Sequence, residues 1–234
     1  MEQAKIGAIS SFLKTTNIFR EVPLPVLEEA AEHCRISRHK RGTILYRKGD
    51  PASLMYFLQQ GYVMEQVYYR ESVDVIIKVK CPGDYFGETA VMTDMEYLNT
   101  ALVTEDSSLV VMPKGVFLQL AWSNHTICQV VIRELVERLT NSAQNMVNSM
   151  YLDAPGRLAF TLLNLMPGAG QARSGELRVT QSSLAASAGM ARQTAAAILG
   201  EWRKAGWIST DRGRLSVLDL DCLLDLIMNS ELRC

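Results

Sequence analysis

The chain has no pair of cysteines at metal-binding spacing. Its five cysteines, Cys34, Cys81, Cys128, Cys222 and Cys234, are odd in number and scattered, so reduced thiols are expected rather than a disulfide framework or a structural zinc site. Long apolar runs are missing too. Nothing approaches the roughly 20 residues that cross a bilayer, and the opening MEQAKIGAISSFLK has no signal-peptide core. A soluble, cytoplasmic protein with no membrane partner is the expectation. No charge of one sign dominates, because 24 Lys+Arg stand against 25 Asp+Glu; a nucleic-acid partner must be met by a local patch. The absence of a nucleophile–base pairing, of metal-ligand spacing and of a phosphate-cradling glycine loop speaks against an enzyme.

What is there changes texture along the 234 residues, which are 48% hydrophobic and long enough for two domains. From about residue 43 to 113, TILYRKGD, LMYFLQQG, VDVIIKVKCPGD and LNTALVTEDSSLVVMP alternate with turn residues at Gly49, Gly61, Gly83 and Pro113, the pattern of an antiparallel barrel or jelly roll. No Gly or Pro then interrupts Val116 to Asp153, and Cys128, Val131, Leu135, Leu139, Ser142, Met146 and Ser149 step by three or four. Such a stripe either packs on its own β-domain or pairs with a second copy of the helix; its length favours a parallel dimer. Asp153-Ala154-Pro155-Gly156 breaks the helix and marks a hinge.

Beyond it, Thr180 is a good N-cap for the short helix TQSSLAASA, Gly189 allows a tight turn, and a second helix follows from ARQTAAAILGEWRK. WISTDRGRLSVL reads as a hairpin around Asp211-Arg212-Gly213. Helix, turn, helix and wing make a winged helix-turn-helix, whose second helix enters the major groove of double-stranded DNA. Small Ala191, Ala195 and Ala196 allow close approach, Arg192 suits guanine, Gln193 adenine and Thr194 a phosphate. Thr180, Gln181, Ser182 and Arg212 complete the expected DNA contacts. From Glu176 to Leu215 six basic residues face three acidic ones, a local basic surplus hidden by the neutral total. Ile198, Leu199, Trp202 and Trp207 read as core. The expectation is therefore an α+β protein: a β-roll effector-sensing domain at 1–115, a dimerisation helix at 116–152, a hinge at 153–156 and a winged helix-turn-helix DNA-binding domain at 157–234.

RGTILYRKGDPASLMYFLQQG, CPGDYFGETAVM, NSMYLDAPGRLAFTLLNL and VTQSSLAASAGMARQTAAAILGEWRKAGWI, in this order, resemble the Crp/Fnr family of bacterial transcription regulators, from about Phe12 to Leu218. The resemblance implies a homodimer, a palindromic operator, contact with RNA polymerase and a small-molecule effector in the cyclic-nucleotide-binding-like β-roll. In cyclic-AMP-binding members a Gly-Glu pair takes the ribose and a following Arg-Ser pair neutralises the phosphate. Gly87, Glu88 and Thr89 are present here, but the Arg-Ser position holds Asn99-Thr100, before Ala101, after a loop one residue longer; the two hydroxyl residues that touch adenine correspond to Ser142-Ala143. Effector contacts are expected at Gly87, Glu88, Thr89, Asn99, Thr100 and Ser142, although Glu88 as a turn cap and Ser142 as a small seam residue remain open. Burying a phosphate without a cation costs on the order of several kcal/mol, so an effector other than cyclic AMP is expected. The recognition helix departs as well: Ala197 stands where the family often has an arginine, and the operator should differ accordingly.

An iron-sulfur cluster needs clustered cysteines that are absent. Haem stays open through His33, His39, His125 and the methionines, as does a small organic acid, an aromatic ligand or no ligand. Two further alternatives are a true cyclic-AMP-responsive regulator and a cyclic-nucleotide-binding module acting on a protein partner.

Overall fold

Alternation in the first half and helical spacing in the second are both realised in the computed structural model, which describes residues 2–69, 73–166, 176–211 and 213–231. Two helices, α1 (Glu2–Thr15) and α2 (Leu24–Glu32), precede the strands. These are β1 (Arg35–His39), β2 (Ile44–Tyr46), β3 (Leu54–Gln60), β4 (Val63–Tyr69), β5 (Val73–Lys80), β6 (Tyr85–Phe86), β7 (Thr100–Val103) and β8 (Ser107–Pro113), with a short helix α3 (Glu88–Thr93) between β6 and β7. One sheet runs β1-β8-β3-β6 and the other β2-β7-β4-β5. The turn glycines expected from the sequence lie in the left-handed region, Gly49 at φ +91°, Gly61 at +85° and Gly83 at +96°. At Gly61 a Cβ would stand 2.5 Å from the Asp106 carbonyl oxygen, so only glycine fits there. The core is mainly aliphatic with an aromatic component: Phe19, Phe57, Phe86 and Phe117 are fully buried, and Tyr46 stacks on Tyr97 with centroids 3.7 Å apart.

The uninterrupted helix expected over 116–152 is two helices, α4 (Lys114–Ser123) and α5 (His125–Tyr151). Asn124 leaves helical space, at φ −136° and ψ 103°, for a local reason. Ser123 Oγ donates back to the Gln119 carbonyl, and Asn124 Oδ1 accepts from Thr126 N–H at 3.2 Å, so one side chain ends a helix and the next begins another. The expected hinge is also tighter than an open linker. Asp153 caps α6 (Ala154–Leu165), accepting from Gly156 N–H at 2.9 Å, and Pro155 lies in the first turn.

The chain then forms β9 (Glu176–Arg178), α7 (Gln181–Ser187), α8 (Arg192–Lys204), β10 (Ile208–Asp211), β11 (Arg214–Val217) and α9 (Leu220–Glu231), with a sheet in the order β10-β11-β9. Leu158, Leu162, Leu184, Leu199, Trp202 and Leu223 are buried among these elements. Two compact units result: Met1–Met64 with Lys80–Leu139, and Glu65–Val79 with Thr140–Cys234. The division falls inside α5, and a hairpin segment of β4 and β5 goes with the second unit.

Candidate functional site

The helix-turn-helix begins where Thr180 Oγ1 accepts from Ser183 N–H at 3.0 Å, the cap read from the sequence. Gly189, at φ +62°, turns the chain after α7, and its N–H donates to the Ala186 carbonyl at 3.1 Å. Burial then changes along α8. Ala191, Arg192, Gln193 and Thr194 are exposed, as are Thr180, Gln181 and Ser182, whereas Ala195, Ile198, Leu199 and Trp202 are buried. Trp207, expected in the core, is only half-buried. Arg203 and Lys204 occupy the last turn of α8, where positive charge complements the helix dipole. Arg214 is tied to Glu176 at 2.6 Å across the small sheet, which removes one cation from the free basic surplus. Arg212, an expected DNA contact at the wing tip, lies outside the described residues.

A second concentration of polar groups sits in the β-roll. Gly87 opens α3 from the left-handed region, at φ +92°, with the Leu54 carbonyl oxygen 3.1 Å and the Tyr97 ring 3.4 Å from where a Cβ would stand. This lets Glu88 turn inward, where it is buried. Its carboxylate accepts from Arg138 of α5 and from the Thr89 hydroxyl at 3.2 Å. Arg138 also lies 3.8 Å from Glu134, one turn earlier, and Glu134 accepts from the Tyr85 hydroxyl at 2.6 Å. Burial by itself raises a carboxyl pKa, but Lys80 and Arg138 outweigh it and hold Glu88 below the ordinary carboxylate value. Lys80 is buried and donates to the Tyr85 carbonyl at 2.9 Å. Tyr85 is pushed upward by its own burial and by Glu134.

Of the expected effector residues, the structure brings Glu88 and Thr89 into this centre. Thr100 is buried and its hydroxyl oxygen accepts from the Lys48 N–H at 3.1 Å, and Asn99 is half-buried. Ser142 is an exposed residue of α5 in the other compact unit. Two cations, Lys80 and Arg138, went unrecognised in the sequence. Their signal was indirect: a buried Glu88 demands a cation, and Glu134 and Arg138 are spaced to meet on one helix face.

Along α5 the apolar stripe has two fates. Val131 is buried and Cys128 donates its thiol to the Ala121 carbonyl at 3.0 Å, so this part packs on its own domain. Leu135, Leu139 and Met146 are exposed, joined by Ile132, Val136, Val147 and Met150. The side chain of Ser149 lies outside the described residues. Among the histidines, His33 and His125 are exposed and His39 is hydrogen-bonded to Ser37 at 2.8 Å. Among the described residues no three His, Cys, Asp or Glu groups converge on a metal site, and no helix is long and apolar enough to cross a membrane.

Residues 36–124 match the cyclic nucleotide-binding domain and residues 156–226 the Crp-like helix-turn-helix domain. The chain is 29% identical over 180 residues to the cAMP-activated global transcriptional regulator CRP of Pasteurella multocida, covering 75% of this chain and 86% of the relative. It is 23% identical over 219 residues to the CRP-like cAMP-activated global transcriptional regulator of Mycobacterium tuberculosis, covering 92% and 98%. Among solved structures it is similar to a transcriptional regulator of the Crp/Fnr family from Eubacterium rectale, with a TM-score of 0.70, 15% identity and coverage of 92% and 99%. FixK2 from Bradyrhizobium japonicum gives a TM-score of 0.68 at 16% identity, covering 82% and 96%.

Proposed function

This chain belongs to the Crp/Fnr family, as a DNA-binding transcription regulator with an effector-binding domain, and we propose that it works as a homodimer on a palindromic operator. The exposed apolar face of α5, from Ile132 to Met150, supplies the dimer contact, which would shield the strongly exposed Leu139 and Met150. Two α8 helices then enter successive major grooves about one helical turn apart, roughly 34 Å. Arg192 reads a guanine, Gln193 reads an adjacent base, and Thr194, Thr180, Gln181 and Ser182 serve the backbone, with Arg212 on the wing. The observation that carries this reading is the division of α8 into an exposed Ala191–Thr194 start and a buried Ala195, Ile198 and Trp202 side.

The effector of the β-roll is an uncharged or weakly charged small molecule rather than cyclic AMP. Among the described residues of this centre Lys80 and Arg138 are balanced by Glu88 and Glu134, which leaves no net positive charge there to favour a cyclic phosphate. The names of the cAMP-activated relatives favour a second reading, a true cyclic-AMP-responsive regulator. Calorimetric titration of the purified dimer with cyclic AMP separates the two: micromolar binding establishes the second, and absence of binding at millimolar nucleotide rules it out. In either case effector occupancy alters α5 packing and the Asp153–Gly156 junction reorients the reading heads, bringing RNA polymerase under control at the promoter.

A further inference from the structure

The second compact unit, which joins hairpin residues 65–79 to α5 from Thr140 onward and to the helices beyond, encloses a half-open cavity of about 370 Å³. β5 is the edge strand of its sheet, and an edge N–H needs a partner from elsewhere. Here Ile76 N–H donates to Ser187 Oγ of α7 at 2.9 Å. The cavity opens beside this bond. Ile76, Phe160 and Leu165 give its lining apolar surface, and Arg157, Thr161 and Asn164, interleaved with Phe160 and Leu165 along α6, give it polar groups.

Charge separates this cavity from an ordinary packing gap. Arg157 Nη1 donates to the Leu152 carbonyl at 3.0 Å, which uses one of the five guanidinium N–H groups. Among the described residues Arg157 has no carboxylate partner, and none lines the cavity. Asn164 and Thr161 offer hydrogen bonds without charge. The wall therefore carries one positive charge beside apolar surface, and this arrangement is complementary to one negative charge on an apolar body.

We propose that the cavity binds a small organic monocarboxylate, with the carboxylate on Arg157 and Asn164 and the hydrocarbon part against Ile76, Phe160 and Leu165. A phosphate ester, at about −1.5 to −2, would bring more charge than one guanidinium balances next to apolar surface. The volume corresponds to roughly a dozen water-sized volumes of about 30 Å³, enough for a carboxylate bearing a phenyl ring or a short aliphatic chain. The site is separate from the β-roll centre and does not depend on the effector assigned there.

The test is calorimetric titration of the full-length protein, without DNA, using phenylacetate and hexanoate and, as uncharged counterparts, phenylacetamide and hexanamide. Expected is one acid bound per chain, amides at least tenfold weaker, and Arg157→Gln at least tenfold weaker for the acids. Because Arg157 also holds the Leu152 carbonyl, Thr161→Phe serves as a second variant: it puts a ring beside Arg157 and Asn164, where the carboxylate would lie, without removing that bond, and should abolish acid binding at an unchanged melting temperature. Absence of acid binding at millimolar concentration overturns the proposal. So does equal binding of acid and amide, or acid binding that survives Thr161→Phe. Since no DNA is present, the result stands apart from the operator reading.

Discussion

At the start of α8 the side chains of Arg192, Gln193 and Thr194 are exposed and have no hydrogen-bond partner among the described residues, whereas around Glu88 the charges are matched inside the protein. Arg138 donates to the Glu88 carboxylate, the charge of Lys80 favours its ionised form, and the Tyr85 hydroxyl donates to Glu134. Solvated polar groups cost nothing to leave free, and buried ones cost a great deal. One region thus holds its donors in reserve for an outside partner, and the other has already used them to hold itself together. Removing a side chain from the first should weaken binding at little cost to the fold, and removing one from the second should do the reverse.

The largest expected effect comes from Arg138→Ala. It leaves Glu88 buried beside Lys80 alone, and breaking a buried pair typically costs about 3–5 kcal/mol. Arg138 is 37% exposed, so solvent screening brings the expectation down to about 2–3 kcal/mol, read by denaturant unfolding of the N-terminal transition. Acid sharpens the same point. The folded pKa of Glu88 is depressed below its reference value of 4.5, so the ionised carboxylate contributes stability that is present above that value and is lost as the pH falls through the lower folded pKa. Wild type should lose stability in that acid window, and Arg138→Ala should lose distinctly less; identical acid profiles would contradict the assigned pair.

Arg192→Ala should leave unfolding within about 0.5 kcal/mol of wild type while costing about 1–3 kcal/mol in operator binding and relaxing preference at one base pair. Anisotropy titrations against a panel of single-base operator variants measure both. A loss spread evenly over every sequence would assign Arg192 to the phosphates instead. The smallest effect belongs to the cap that presents the motif. Thr180→Ala should destabilise the C-terminal unit by about 1 kcal/mol, and Thr180→Ser should restore most of it; if serine fails to rescue, the hydroxyl is not acting as the cap.

Much of the division between these regions was legible in the residues. Thr180, Gly189 and the Arg192-to-Trp202 spacing specify a capped helix, a turn and a two-faced helix through local rules, and local rules are what a sequence states directly. The β-roll turns were equally legible, since Gly49, Gly61 and Gly83 need left-handed backbone. Legibility fails where side chains far apart in sequence decide the outcome. Glu88 and Arg138 are fifty positions apart, and their pairing depends on how α5 packs on the strands. β1, β4, β9 and α9 were not singled out, because charged β1 lacks an apolar alternation and the three-residue β9 gains its identity only from pairing with β11. The break at Asn124 was missed for a different reason: Ser-Asn carries no glycine or proline, yet its side chains compete with the backbone as effectively.

The most direct measurement is selection of duplexes from a random library by the full-length protein, followed by titration of the winning sequence across a range of salt concentrations. The expected result is a palindrome with half-sites about one helical turn apart, one dimer per duplex, and affinity that falls steeply with salt. Enrichment of no sequence, or enrichment that persists unchanged in Arg192→Ala, would contradict the assignment of α8 as the reading helix.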